Sequence, residues 1–123
     1  MTEPNAMILV IDDDPFARAF AEVVLSGAGY RVAQAATASE GLAMVAHTAP
    51  NLIVLDYAMP GMTGLDALQA LRSGANAPEV SVIMLSAWVS NDVRQAVEAL
   101  DAVWLAKPLA ADGLSSAVRA ALN

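Results

Sequence analysis

A handful of residues in this chain could do chemistry: Asp12, Asp13, Asp14, Asp56, Ser86 and Lys107. All but Asp14 stand where a short apolar run ends. "MILVI" runs into Asp12 and Asp13, "NLIVLD" closes on Asp56, "SVIML" is followed by Ser86 and "AVWLA" by Lys107. Carboxylates that converge without a cation raise one another's pKa. A hard divalent cation relieves that repulsion, and Mg²⁺ takes few carboxylates, several waters and a phosphate oxygen. A lysine among three acids serves as an ion-pair partner or a phosphate ligand. A serine hydroxyl adds a donor. Together the set describes a small site for a phosphoryl group and Mg²⁺. Asp14 differs, because it precedes Pro15. That pairing suits a helix N-cap followed by proline at the first helical position, so Asp14 is assigned to a helix end rather than to a cation.

The elements that must position these groups follow from apolar spacing. Five short runs, over 7–11, 30–35, 51–56, 81–85 and 102–106, are bounded by polar, Gly or Pro residues and read as strands. Helical spacing lies between and after them. Phe16, Phe20, Val23 and Val24 fit one face of a first helix, and Leu42, Val45 and Ala46 a second. Leu65, Leu68 and Leu71 fit a third, Val93, Val97 and Leu100 a fourth, and Leu114, Val118 and Leu122 a fifth. Thr37 with Glu40, and Thr63 with Asp66, have capping-box spacing. Gly27, Gly29 and Gly74 stand where helices should stop. Alternation of strand and helix predicts an α/β fold, a parallel sheet with helices on both faces. Ligands of such sheets bind beyond the carboxyl ends of the strands, where strand order reverses. Four of the five strands deliver a useful group to that edge. The second ends in Ala35 and Ala36 and delivers none, as an edge strand would.

Bulk properties bound the rest. The 123 residues fit one domain over 1–123, with residues 1–6 as a flexible N-terminal tail. A chain 57% hydrophobic and 15% charged is not a disordered one. The absence of cysteine excludes disulfides and thiolate metal sites and is compatible with the cytoplasm. A formal charge of −7, with six basic residues scattered along the chain, opposes direct binding to nucleic acid. The longest apolar run, Ala6 to Ile11, is too short to enter and span a membrane. "MTEPN" lacks the pattern of a signal peptide. His47, the one histidine, reads as a solvated helix-end residue away from the acidic edge.

From Ile8 to Leu122 the chain resembles the receiver domain of two-component response regulators, the family of the chemotaxis regulators. The motifs are "IDDD" (11–14), "LDYAMPGMTG" (55–64), "MLSA" (84–87) and "KP" (107–108), in order and each at a strand end. The resemblance implies a doubly wound, flavodoxin-like sheet of five parallel strands in the order 2-1-3-4-5 with five helices. It implies that Asp56 accepts a phosphoryl group from a phosphohistidine on a histidine kinase or histidine phosphotransfer protein. It implies Mg²⁺ held by Asp13, by Asp56 and by the backbone carbonyl of Ala58, with Asp12 acting through water. Lys107 would pair with the bound phosphoryl group and Ser86 would hydrogen-bond it. Met59, Pro60 and Gly64 would shape the loop after the third strand, and the Lys107–Pro108 bond would be cis.

Family members commonly carry Tyr or Phe three residues before the lysine, where this chain has Trp104. Trp104 is expected to stay partly exposed and, with Trp88, Val89 and Leu109, to form a partner surface around helix 4, strand 5 and helix 5. That surface would serve a downstream protein, a fused output domain or a homodimer. Many relatives carry Gly-Ala before the fifth strand, where Leu100 and Asp101 stand, so the loop there should pack differently. In the family the positions of Ala58 and Trp88 tune loss of the phosphoryl group; neither side chain here can orient a water, so the resemblance implies slow self-dephosphorylation. Two rivals remain. Haloacid-dehalogenase-like phosphatases also end their first strand in D-x-D, which Asp12 and Asp14 match, and would use Asp12 as nucleophile; Phe16 stands where they carry Thr or Val. A receiver-like interaction module that is never phosphorylated is the other.

Overall fold

In the computed structural model, which describes residues 5–74, 79–87, 90–107 and 110–122, strand and helix alternate from end to end. The elements are β1 (Met7–Ile11), α1 (Pro15–Gly27), β2 (Arg31–Ala35), α2 (Ala38–Thr48), β3 (Leu52–Asp56), α3 (Gly64–Ser73), β4 (Ser81–Ser86), α4 (Asn91–Ala99), β5 (Ala102–Ala106) and α5 (Ala111–Leu122). All strand pairings are parallel and the order is β2-β1-β3-β4-β5. The expected doubly wound α/β sheet is therefore observed, with β2 and β5 at its edges.

The three central strands are apolar because both of their faces are covered. Leu9 and Ile11 of β1, Ile53 and Leu55 of β3, and Val82 and Met84 of β4 pack under α2, α3 and α4. Their alternate neighbours, Ile8 and Val10, Leu52 and Val54, Ile83 and Leu85, pack under α1 and α5. At the edge, Val103 of β5 is half exposed. Two residues of the expected N-terminal tail carry contacts to β2. Ala6 is buried and its carbonyl accepts from the Arg31 N–H, and the Asn5 carbonyl accepts from Arg31 Nε.

Helix starts follow local chemistry. Asp14 Oδ1 accepts from the Phe16 N–H at 2.9 Å and Pro15 opens α1. Thr63 and Asp66 form a reciprocal capping box on α3. Thr37 accepts from the Glu40 N–H, while Glu40 reaches back to the N–H of Ala36. Such a cap contributes roughly 1 kcal/mol. The expected glycines do stand at helix ends: α1 stops at Gly27 with Gly29 just beyond it in the left-handed region (φ 99°), and α3 stops before Gly74. The caps themselves vary in conformation. Gly74 follows α3 in an extended conformation (φ −81°), and α2 ends on Ala49 in the left-handed region (φ 47°). Val45 still anchors that turn through a bond from the Ala49 N–H.

The face of α1 needs correcting. Phe16, Phe20 and Val23 are exposed, Phe16 by 83%, and the residues turned to the sheet are Ala21 and Leu25, with Val24 at the margin. The helix is apolar around most of its circumference, so spacing alone does not choose a side. Small Ala21 allows close approach to the sheet, whereas a phenylalanine there would overpack it.

Candidate functional site

The strand order reverses between β1 and β3, because β1 is followed in space by β2 on one side and by β3 on the other. The carboxyl ends of these two strands flank the crevice in which ligands of such sheets bind. Asp12 and Asp13 follow β1, and Asp56 closes β3. One carboxylate oxygen from each of the three lies within 4.8 Å of the others. Asp12 and Asp56 are buried and Asp13 is exposed. Ser86 closes β4 and is also buried, and Lys107 follows β5 with its side chain 27% exposed. Lys107 Nζ lies 3.0 Å from Asp56 Oδ1 and 3.2 Å from Asp12 Oδ2. Its backbone N–H donates to the Ser86 carbonyl at 2.9 Å, which ties β5 to β4 at the site.

Burial pushes the Asp56 carboxyl above its ordinary range, and the neighbouring Asp12 and Asp13 charges push the same way. The hydrogen bond and charge of Lys107 oppose them without prevailing. For Lys107, burial pulls the pKa down, but the hydrogen bond and charge of Asp56, with those of Asp12, outweigh it and hold the ammonium above its ordinary value. One cation thus faces a three-acid cluster. An oxygen-rich set of carboxylates with an excess of negative charge fits a hard divalent cation.

Asp12 is engaged at every polar group. Its N–H donates to the Ala35 carbonyl, Oδ1 accepts from the Asp14 N–H at 3.0 Å, Oδ2 faces Lys107, and its carbonyl accepts from an Arg18 guanidinium nitrogen at 2.7 Å. Sequence reading did not single out Arg18; its position one turn into α1, just past an acidic pair, is the signal that could have found it. Asp14 is spent on the helix cap and contributes its N–H to Asp12.

The loop after β3 is shaped by Gly64. Its N–H donates to the Tyr57 carbonyl at 2.8 Å, and a Cβ there would meet the Asp56 carbonyl oxygen at 2.6 Å and Tyr57 Cα at 2.8 Å. Glycine lets α3 begin directly behind the residue that follows Asp56. Met59 is buried in the same layer, and Ala58 lies exposed between them. Trp104 is half-buried and, like Val93 and Leu100, packs against the core cluster on the α4 side of the sheet. Trp88, Val89, Pro108 and Leu109 lie outside the described residues. His47 is exposed in the last turn of α2.

Leu100 and Asp101 have their own solution. Asp101 adopts a left-handed conformation (φ 60°), and Arg72 of α3 donates to the carbonyls of Leu100 and Val80, each at 2.7 Å, and of Asp101 at 3.4 Å. This clasp lies at the amino edge of the sheet, away from the acids. A groove of about 400 Å³ opens beside Asp12 and Lys107, lined mainly by apolar side chains such as Phe20, Leu85 and Leu114. Its lining does not suit a phosphoryl group, whereas the acid–lysine cluster does. No helix among the described residues is long and apolar enough to cross a membrane.

The family model of the response regulator receiver domain matches residues 8–119. The chain is 36% identical over 118 residues to the transcriptional regulatory protein KdpE of Mycobacterium tuberculosis, covering 95% of this chain and 51% of that protein. It is 34% identical over 117 residues to the DNA-binding response regulator MtrA of Mycolicibacterium smegmatis, covering 94% and 50%. The chain thus spans about half the length of these curated relatives. Among solved structures, the chemotaxis protein CheY4 of Vibrio cholerae superposes with a TM-score of 0.90 at 30% identity, covering 96% of this chain and 99% of that one. With the sheet order, the acid–lysine edge and a family match over nearly its whole length in agreement, the chain belongs to the response regulator receiver domain family of two-component systems.

Proposed function

We propose that this receiver takes a phosphoryl group onto Asp56 from a phosphohistidine of a partner histidine kinase or phosphotransfer protein. The observation that carries this reading is the convergence of three carboxylates within 4.8 Å with Lys107 3.0 Å from Asp56. Mg²⁺ would be held by Asp13, Asp56 and the Ala58 carbonyl, with Asp12 acting through water. When bound, it supplies charge neutralisation to the transferring group. The work of the chain is positioning and electrostatics. Asp56 offers an oxygen from a buried strand end. The P–O bond forms to that oxygen as the P–N bond to the donor imidazole breaks. Lys107 then transfers its pairing from the carboxylate to the new phosphoryl oxygens, and Ser86 hydrogen-bonds them.

The product biases a two-state surface, so the output is a population shift. That surface is assigned to α4, β5 and α5, with Trp104 and the undescribed Trp88, Val89 and Leu109. It would engage a downstream protein, a fused output domain or a second copy. One domain over 1–123 acting in the cytoplasm, with no turnover of a separate substrate, completes the reading.

The phosphatase alternative needs Asp12 as nucleophile. Both Asp12 carboxylate oxygens are engaged, by the Asp14 N–H and by Lys107, which favours Asp56. The test is site mapping. After treatment with acetyl phosphate and Mg²⁺, borohydride reduction marks an acyl phosphate as homoserine in the peptide digest. Homoserine at position 56 supports the reading; homoserine at position 12 replaces it with the phosphatase mechanism; no homoserine at either leaves the interaction module.

A further inference from the structure

Arg18 connects three elements next to the acids. Its guanidinium donates to the Asp12 carbonyl at 2.7 Å, and its Nε lies 3.3 Å from Gln34 Oε1 on β2. The Gln34 amide in turn donates to Glu22, one helical turn beyond Arg18 on α1. The fork geometry of a guanidinium allows one side chain to serve two acceptors in fixed directions. The amide of Gln34, held by Glu22, presents its oxygen to Arg18, so the guanidinium is braced from both α1 and β2.

The Asp12 carbonyl belongs to the peptide unit that joins Asp12 to Asp13. That unit is planar, so holding its oxygen also fixes the Cα of Asp13. Asp13 is exposed, and the described contacts give its side chain no hydrogen bond of its own. Backbone position is therefore the constraint that the described contacts place on this carboxylate. Asp12 itself is anchored on the other side by its N–H on Ala35.

We infer that Arg18, braced by Gln34 and Glu22, is a positioning residue that aims Asp13 at the cation by clamping the Asp12–Asp13 peptide. The inference rests on the reading of the acidic cluster as a Mg²⁺ site. It differs in sign from simple electrostatics. Removing a positive charge from beside three acids strengthens their attraction for a cation. Removing a positioning clamp weakens it, by roughly tenfold where the oriented group is a direct ligand.

The experiment compares the wild-type chain with Arg18→Met, Arg18→Lys and Gln34→Ala. Mg²⁺ affinity is measured by titration calorimetry without a phosphodonor. Hydrogen exchange at the Asp14 amide, which donates to Asp12 Oδ1, and the urea midpoint in EDTA are measured alongside. Arg18→Met is expected to weaken Mg²⁺ binding by roughly tenfold and to speed exchange at Asp14. Arg18→Lys should recover part of the affinity, and Gln34→Ala should lose affinity to a smaller degree. Affinity that stays unchanged or rises in a folded Arg18→Met protein overturns the inference, even if its urea midpoint falls, because Arg18 is then only a tether for α1. Should Arg18→Met not fold, Gln34→Ala decides in the same way. A wild-type chain that binds no Mg²⁺ defeats the function reading, and the Arg18 inference falls with it.

Discussion

Lys107, at the end of an edge strand, reaches past β4 to bring its ammonium 3.0 Å from Asp56 at the end of β3. The two groups do not neutralise one another fully, since Lys107 also faces Asp12 at 3.2 Å and the Asp56 carboxyl still sits above its ordinary range. The site holds an excess of negative charge in a buried crevice, and two consequences for stability can be measured.

Removing the lysine should leave two buried carboxylates without their cation. Lys107→Met is expected to lower the urea-unfolding free energy at neutral pH in EDTA by roughly 1–2 kcal/mol, less than the full cost of breaking a buried pair because the ammonium is part-exposed. The pH dependence has a defined sign. The folded pKa of Lys107 is raised above 10.5, so its contribution is fully present below that pH and is lost as pH climbs through the folded value. The wild-type and variant unfolding curves should therefore converge in strong base.

Asp56 carries a linkage of the same sign in a lower pH window, but there the charged form is the disfavoured one. Its folded pKa is raised above 3.8, chiefly by burial, so in that window the folded state binds more protons than the unfolded one and stability falls as pH rises. In EDTA at neutral pH, Asp56→Asn should therefore be more stable than wild type, by on the order of 1 kcal/mol, the usual scale of one substitution. The advantage should shrink as pH falls toward 3.8. Paired urea titrations over pH check this; a variant less stable than wild type at neutral pH would contradict the electrostatic picture.

Gly64 is set against backbone on two sides, the Asp56 carbonyl and Tyr57 Cα, as well as against Met84 Sδ at 2.7 Å. A Cβ there meets the Asp56 carbonyl oxygen at 2.6 Å, so Gly64→Ala should cost about 1–3 kcal/mol through forced backbone shifts. Despite alanine's better helix propensity, the urea midpoint should drop, and it should drop far less for Gly113→Ala, where a Cβ meets nothing within 4 Å.

Trp104 is half-buried against the core cluster under α4, a position that fits a fixed ring at the edge of a partner surface. In a Trp88→Phe background its fluorescence should change little when the site is loaded with acetyl phosphate and Mg²⁺. A large spectral shift would instead mark a ring that moves with the switch.

Much of the scaffold was legible in the sequence because its causes are local. A strand covered on both faces must be apolar throughout, and the polar residue that ends it marks the edge of the sheet; this exposes Asp12, Asp56, Ser86 and Lys107 at once. Asp14 before Pro15 announces its own helix cap. The orientation of α1 was not legible, because Phe16, Phe20 and Val23 compete with Ala21 and Leu25 for the sheet and only the space above β1 decides between them. Nor were the two arginine clasps. Arg18 and Arg72 find backbone carbonyls across tertiary contacts, and a carbonyl leaves no trace in side-chain pattern. Asp101 likewise takes a left-handed turn that residue type would have given to glycine, held there beside the Arg72 guanidinium.

In the proposed function Asp56 alone accepts the phosphoryl group and needs a divalent cation to do so. Intact-mass spectrometry after incubation with acetyl phosphate tests it directly, on wild type with Mg²⁺, on wild type with EDTA and on Asp56→Asn with Mg²⁺. A gain of one phosphoryl group is expected in the first sample and none in the other two. A gain that persists in Asp56→Asn, or that is undiminished in EDTA, would contradict it.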